Sequence, residues 1–203
     1  MIVAAALAAY LIGSIPTASF LSRLRGIDLR TDGSGNPGTN NALRTGGPIL
    51  AATVLVVEAT KGYVAVLAGH AMADEVGAIV GAIAAVAGNV FNLWFGFSGG
   101  KGLGISLGVL AAAWPWVLPL LVALLVAAAL VTRSAGLAAL IAMAGLLAAS
   151  ITWPAQSWPT GGLAETGPGL AGLAVGMTAI MGWKHWRDSP FNPDWHSERR
   201  TRA

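Results

Sequence analysis

The residues best suited to chemistry lie in two glycine-rich segments. The first reads Gly33-Ser34-Gly35-Asn36-Pro37-Gly38-Thr39-Asn40-Asn41, with Arg44 three residues on. Glycine lets a ligand approach the backbone closely, and successive exposed N–H groups in such a loop form an anion-binding nest. Ser34, Asn36 and Asn41 add side-chain donors, and Arg44 can grip a phosphate through two parallel bonds. The blander reading of the same residues is a flexible loop. The second segment, Gly99-Gly100-Lys101-Gly102, opens a predicted helix, where N–H groups attract anions and Lys101 supplies a full charge. Its blander reading is a tight interhelical turn with a lysine that sets topology. Together the two segments suit a ligand with two phosphate groups, or one phosphate and one oxyanion.

Two familiar nucleotide signatures are excluded. Gly33, Gly35 and Gly38 fit G-x-G-x-x-G, and Glu58 follows Gly38 by twenty residues. The dinucleotide fingerprint, however, requires a preceding strand and a βαβ unit, whereas here an apolar helix precedes the loop. A Walker A loop requires glycine at position 95 and Ser or Thr at position 102, which are Phe95 and Gly102. Further polar residues fall inside apolar stretches. Glu58 and Lys61 share one helix face, as a structural ion pair or as support for the loops. Asn89 and Asn92 share another, where interhelical hydrogen bonding is the expected role. His185 stands one turn from Asp188, which could orient its ring. The chain has no cysteine, and His70, His185 and His196 have no metal-ligand spacing. No metal is expected.

The elements that must position these residues are membrane helices. Hydrophobic residues make up 55% of the 203 and charged residues 10%, against roughly 25% charged in ordinary soluble domains. The apolar residues form long runs, read as spans over Ile2–Leu21, Pro48–Ala71, Val76–Phe97, Leu103–Ala113, Val117–Val131, Ala135–Ile151 and Leu170–Trp183. Leu103–Leu130 reads equally as one kinked helix or as two split at Trp114-Pro115-Trp116. Met1–Phe20 lacks a positive n-region and a clear cleavage site, so a retained first helix is expected. With seven spans and the N-terminus outside, eleven of the twelve Lys and Arg residues fall on the inner side, while Asp74, Glu75 and Glu165 fall outside. The twelfth cation is Lys61. The expected fold is therefore an all-α integral membrane protein of about seven transmembrane helices with a cytoplasmic C-terminus. Residues 1–185 form one polytopic domain, and 186–203 form a basic, proline-containing cytoplasmic tail.

The stretch Ser34–Asn41 with Arg44 resembles the first motif of the bacterial acyl-phosphate:glycerol-3-phosphate acyltransferases, the PlsY family. Gly88-Asn89-Val90-Phe91 through Phe97-Ser98-Gly99-Gly100-Lys101-Gly102 resembles their second motif. Gly13-Ser14-Ile15-Pro16 and Glu58-Ala59-Thr60-Lys61-Gly62 are similar to the family as well. The resemblance covers most of residues 10–110. It implies a seven-helix enzyme of the bacterial inner membrane, multi-pass, with its site facing the cytoplasm. Such an enzyme moves a fatty acyl group from acyl phosphate to the 1-hydroxyl of glycerol 3-phosphate, giving lysophosphatidate, with no cofactor. The implied catalytic residues are Ser34, Arg44, Lys101 and His185. Phosphate would be held by Gly33, Gly35, Asn36, Gly38, Asn41, Gly99, Gly100 and Gly102, with Glu58, Lys61 and Asn89 in support. The implied partners are the two substrates, the lipid bilayer and an enzyme that produces acyl phosphate, with no nucleic acid. The chain departs from the family at Asn89, usually histidine, and at Asn92, usually proline. Ser98 stands for lysine, Asn40 for threonine, and Asp188 for the asparagine after the third motif's histidine. Two other readings of the same residues are a transporter of a phosphorylated solute and a non-catalytic paralogue that binds phospholipid precursors.

Overall fold

A computed structural model describes residues 1–165 and 167–187. Asp188, His196 and the proline-containing tail, for which expectations were stated, lie outside the described residues. Among the described residues every regular element is helical. They are α1 (Ile2–Ser14), α2 (Thr17–Arg23), α3 (Thr39–Val90), α4 (Leu103–Ala113), α5 (Leu118–Thr132), α6 (Ala135–Ala155) and α7 (Gly167–Arg187).

The first apolar stretch is two helices rather than the single Ile2–Leu21 expected. Pro16 has no N–H to continue the ladder, and the chain breaks at Ile15 and Pro16 before α2 begins. The 52 residues of α3 also divide. Gly47 adopts φ 78° just before Pro48, and Ala73 and Asp74 leave helical geometry at φ −156° and 47°. The middle stretch, 48–72, then folds back against the last, 75–90. They cross where Gly69 and Gly77 each abut the other's carbonyl so closely that a Cβ on either would overlap it. Two of the expected spans are thus one hairpin. Its second arm stops at Val90, earlier than the expected Phe97, and gives way to a short 3-10 turn, Leu93–Phe95.

Small residues also set the other contacts of this hairpin. Gly88 and Gly13 bring it onto α1, and Gly62 and Gly108 bring its middle stretch onto α4. Lipid tails are as apolar as leucine, so close van der Waals contact replaces the hydrophobic drive. The question of one helix or two over 103–130 resolves as two. Trp114 turns the chain at φ −153°, and Pro115 starts a new helical turn. Eleven residues of α4 rise only about 16 Å, about half a bilayer core. The carbonyls of Ala112 and Ala113, left open at its end, accept hydrogen bonds from the N–H groups of Leu163 (3.0 Å) and Ala164 (2.9 Å). Irregular backbone at membrane depth is tolerated where protein buries it in this way. Trp114 is fully buried there, edge-on to Trp153 at 5.4 Å.

Among the described residues, four helical stretches are long and apolar enough to cross a membrane: Ile2–Arg23, Thr39–Phe95, Pro115–Thr132 and Ala135–Ala155. The second contains the hairpin. The chain is a multi-pass membrane protein.

Candidate active site

The loop before α3 is built from the inside out. Leu29 is fully buried against Ala18, Ala42, Leu50, Ala51 and Val54. Asp28 accepts from the Arg30 N–H at 3.0 Å and from Arg23 Nη2 at 2.9 Å. The Arg30 N–H first, and Arg23 second, hold its carboxyl below the usual aspartate range. Asn41 is 1% exposed. Its Nδ2 donates to the carbonyls of Leu29 and Asp32, both at 2.9 Å, and its Oδ1 accepts the Ser34 N–H at 2.8 Å. The amide of Asn41 therefore shapes the loop from within, although it was expected to bind phosphate. Gly33 is required beside it: φ is 64°, and a Cβ would overlap Asn41 Oδ1. Gly38 then starts α3 with extended backbone and no side-chain cap. Gly38 has no side chain to cap the first turn; Asn41 N donates to Gly38 O at 3.1 Å, and Thr39 and Asn40 of the same turn line the cavity.

The second loop hangs from the hairpin by its backbone. Gly99 N donates to Val90 O at 2.9 Å, and Gly100 N donates to Asn89 O at 3.0 Å. Gly102 begins α4 at φ 84°, again with no side-chain cap. A cation–π contact, Arg30 over Phe95 at 4.2 Å, ties the first loop to this connection. Below both lies Glu58, 5% exposed. Its Oε1 accepts from Thr17 Oγ1 and from Lys61 Nζ, the latter at 3.0 Å, and its Oε2 accepts from Asn89 Nδ2 at 2.7 Å. Lys61 Nζ also donates to Ile15 O at 2.7 Å, a carbonyl released by the break at Pro16. An intramembrane charge persists only with such partners. Asn92 makes a similar tie, donating to Ser14 O at 2.7 Å.

These parts meet at one cavity of about 590 Å³. Its polar mouth holds Ser34, Asn36, Arg44, Lys101 and His185, with Gly38, Asn41, Glu58, Asn89, Gly100 and Gly102 also in its wall. His185 is 5% exposed, and its Nδ1 donates to Met181 O at 2.9 Å. A carbonyl only accepts, so Nδ1 carries the hydrogen in this arrangement. From the mouth the cavity continues as an apolar gallery between α4, α5, α6 and α7, past Leu107, Leu110, Val122, Ala139, Leu146 and Met177 among others. All four residues expected to be catalytic lie in its wall. Gly33, Gly35, Gly99 and Lys61 do not; they stand behind it. Thr39 and Asn40 stood in the first motif without an assigned role, and Ser106 and Thr178 were not singled out. The acyl chain was expected among the apolar helices without naming the residues that line the gallery. For Thr39 and Asn40 the available signal was their place just after the Gly38 cap. The gallery has no comparable signal, because its helices are apolar on every face.

The arrangement pairs two helix N-termini that lack side-chain caps and two cations with an adjoining apolar channel, and comparison with known proteins gives it a family. The profile described as Glycerol-3-phosphate acyltransferase matches residues 3–189. The chain belongs to this family. A glycerol-3-phosphate acyltransferase of Agrobacterium fabrum is 36% identical over 186 residues, covering 91% of this chain and 84% of the relative. One from Brucella anthropi is 42% identical over 178 residues, covering 87% and 82%. Among solved structures, the chain is similar to PlsY (YgiH), an integral membrane glycerol 3-phosphate acyltransferase. In its glycerol 3-phosphate form the TM-score is 0.75 at 27% identity, covering 91% of this chain and 88% of that one. The lysophosphatidic acid form matches with the same TM-score at 26% identity, covering 91% and 87%. A membrane glycerol-3-phosphate acyltransferase needs to bring a phosphate-bearing polar substrate and an acyl chain to one point, and the cavity joins those two environments.

Proposed function

We propose that the chain transfers a fatty acyl group from acyl phosphate to the 1-hydroxyl of glycerol 3-phosphate, giving lysophosphatidate and inorganic phosphate. The observation that carries this reading is the single cavity with a cationic mouth and an apolar gallery. In the proposed step the glycerol hydroxyl oxygen attacks the acyl carbonyl carbon. A new C–O bond forms, the carbonyl carbon's bond to the phosphate oxygen breaks, and phosphate leaves with that electron pair. The hydroxyl proton goes to the departing phosphate. An acyl phosphate is already activated, so the protein's task is to align the two reactants and to stabilise charge with fixed donors and cations.

In this scheme Arg44, Ser34, Asn36 and the first turn of α3 hold one phosphate. Lys101, Gly100 and the first turn of α4 hold the other, and His185 completes the mouth. Asn41, Gly33 and Gly35 shape the first loop, while Glu58, Lys61, Asn89 and Gly99 hold the second. The scheme places the N-terminus outside, seven passes in the inner membrane of a bacterial cell, and the mouth at the cytoplasmic face, supported by the inner-side bias of Lys and Arg. Acyl phosphate would then come from a partner enzyme on that side. The transporter reading draws no support from Glu58 and Lys61, because both are engaged within the protein.

The test uses purified protein in vesicles with acyl phosphate and labelled glycerol 3-phosphate. Lysophosphatidate should accumulate with a matching release of phosphate. No product above background, beside an active relative in the same lipid, overturns the acyltransferase reading. An acyl group trapped covalently on the protein overturns direct attack.

A further inference from the structure

Phosphate oxygens without a proton only accept hydrogen bonds, and Arg44 and Lys101 only donate, so the cations of the mouth match phosphate. A substrate hydroxyl differs, because it also has a hydrogen to place. That hydrogen needs an acceptor, and Asn89 supplies one. Asn89 lines the cavity beside Gly100, and its Nδ2 donates to Glu58 Oε2 at 2.7 Å. A carboxylate only accepts, so the amide cannot turn over without setting oxygen against oxygen. Its carbonyl must therefore face away from Glu58. Among the described residues nothing donates to Asn89 Oδ1.

Glu58 is itself fixed. Its other oxygen, Oε1, accepts from Thr17 Oγ1 and from Lys61 Nζ. Three donors on two oxygens leave it no freedom to release Asn89. The position of Asn89 Oδ1 follows from Gly100. A Cβ built on Gly100 would stand 3.0 Å from Asn89 Oδ1 and 3.4 Å from Pro37 O. The carbonyl thus lies where the two glycine loops meet, and the missing side chain at Gly100 leaves it open.

We propose that Asn89 Oδ1 accepts a hydrogen bond from the 2-hydroxyl of glycerol 3-phosphate, which makes Asn89 a specificity-determining residue for the acyl acceptor. The inference rests on the acyltransferase reading of the same cavity. In that reading the 1-hydroxyl gives its proton to the departing phosphate, so the 2-hydroxyl is the one left with a hydrogen to place. Three points then hold the acceptor: its phosphate on the donors of the mouth, its 1-hydroxyl at the acyl carbonyl, and its 2-hydroxyl on Asn89. Glu58 acts at one remove, as a positioning residue that sets which end of the amide the substrate meets.

The probe is dihydroxyacetone phosphate. It keeps the phosphate and the terminal hydroxyl but has at carbon 2 a carbonyl, which only accepts. Purified protein in phosphatidylcholine vesicles receives palmitoyl phosphate with each acceptor in turn, and the acylated products are quantified by mass. Glycerol 3-phosphate should have the higher kcat/KM by about tenfold or more, because dihydroxyacetone phosphate sets two acceptors face to face. Equal use of the two overturns the inference and leaves the acyltransferase reading intact. No product from either is failure of that reading itself. This ratio is measured on the unaltered protein and requires no variant to fold. Asn89→Ala removes the carbonyl and should bring the two acceptors to within about threefold of each other. A variant that slows both equally, with the parent's ratio preserved, would make Asn89 merely structural and overturn the inference. Glu58→Gln keeps the shape of the network. The oxygen of the new amide stays with Thr17 and Lys61, its NH2 faces Asn89, and Asn89 turns over to meet it. Asn89 then offers a donor to carbon 2, so the ratio should move toward dihydroxyacetone phosphate by about tenfold. A ratio unchanged by Glu58→Gln counts against the inference.

Discussion

Arg44 and Lys101 reach the cavity from different elements, one from the first stretch of α3 and the other from the turn before α4. Hydrogen bonds to a charged group are each worth about 1.5–3 kcal/mol. Arg44→Ala and Lys101→Ala should therefore each lower kcat/KM by about tenfold to a hundredfold, measured with glycerol 3-phosphate and acyl phosphate varied separately. Normal kinetics in both variants would misplace the site. Asn41 requires a different expectation, because its amide faces the loop. Asn41→Ala leaves the carbonyls of Leu29 and Asp32 and the Ser34 N–H without their partner. It should cost about 1–3 kcal/mol of stability, seen as a lower melting temperature in detergent along with weaker substrate use. Asp28 gives the loop a pH signature. Its folded pKa lies below the unfolded value, so its contribution is full above the ordinary aspartate range and is lost as pH falls through the lowered value. Asp28→Asn should be less stable than the parent at neutral pH, and the gap should close in acid below that range. A gap that stayed constant through the acid titration would mean that the carboxylate charge contributes nothing.

At the scale of elements, glycine positions decide which helices meet. A Cβ on Gly108 would overlap Ala59 O on the middle stretch of α3, so Gly108→Ala must push α4 away from Glu58 and the two loops. Overpacking of this kind costs about 1–3 kcal/mol. The variant should melt lower and also lose activity, whereas Gly172→Ala, with nothing within 4 Å of its Cβ, should do neither. How far the elements could be read in advance follows the same physics. Pro115 marks the break that was offered as one alternative. The break at Pro16 was read through as a single span, although the missing N–H is the same. Pro154 lies inside α6 without ending it. Arg44, Glu58, Lys61 and Lys101 stood out because a charge in so apolar a chain must be satisfied somewhere. Which residues line the gallery was not legible. α4, α5 and α6 are apolar all round, so no period separates the residues that line it, such as Leu121 and Ala139, from those that meet lipid. The inward turn of Asn41 was hidden for a related reason: a polar side chain in a loop suits a ligand and a backbone carbonyl equally well.

For the whole molecule, orientation is the property on which the proposed function depends, since acyl phosphate and glycerol 3-phosphate must reach the mouth from the side where they are made. Charge favours one orientation: the segments that carry the two glycine loops and the Thr132–Ser134 turn hold the cations, and those with Asp74, Glu75 and Glu165 hold none. Geometry adds a constraint independent of charge. Glu165 N donates to Glu75 Oε1 at 2.9 Å, so the hairpin tip and the segment before α7 share one face of the molecule. Arg25, on the first glycine loop's segment, belongs with the mouth. Single-cysteine variants of this cysteine-free chain decide the matter. With a membrane-impermeant maleimide on intact spheroplasts, Glu165→Cys should label and Arg25→Cys should not, and lysis should expose Arg25→Cys. The reverse pattern would turn the mouth outward and remove the cytoplasmic supply of acyl phosphate. Labelling of both in intact cells would mean that a helix between them does not cross, and the short α4, held at its end by Leu163 and Ala164, is where such a failure would begin.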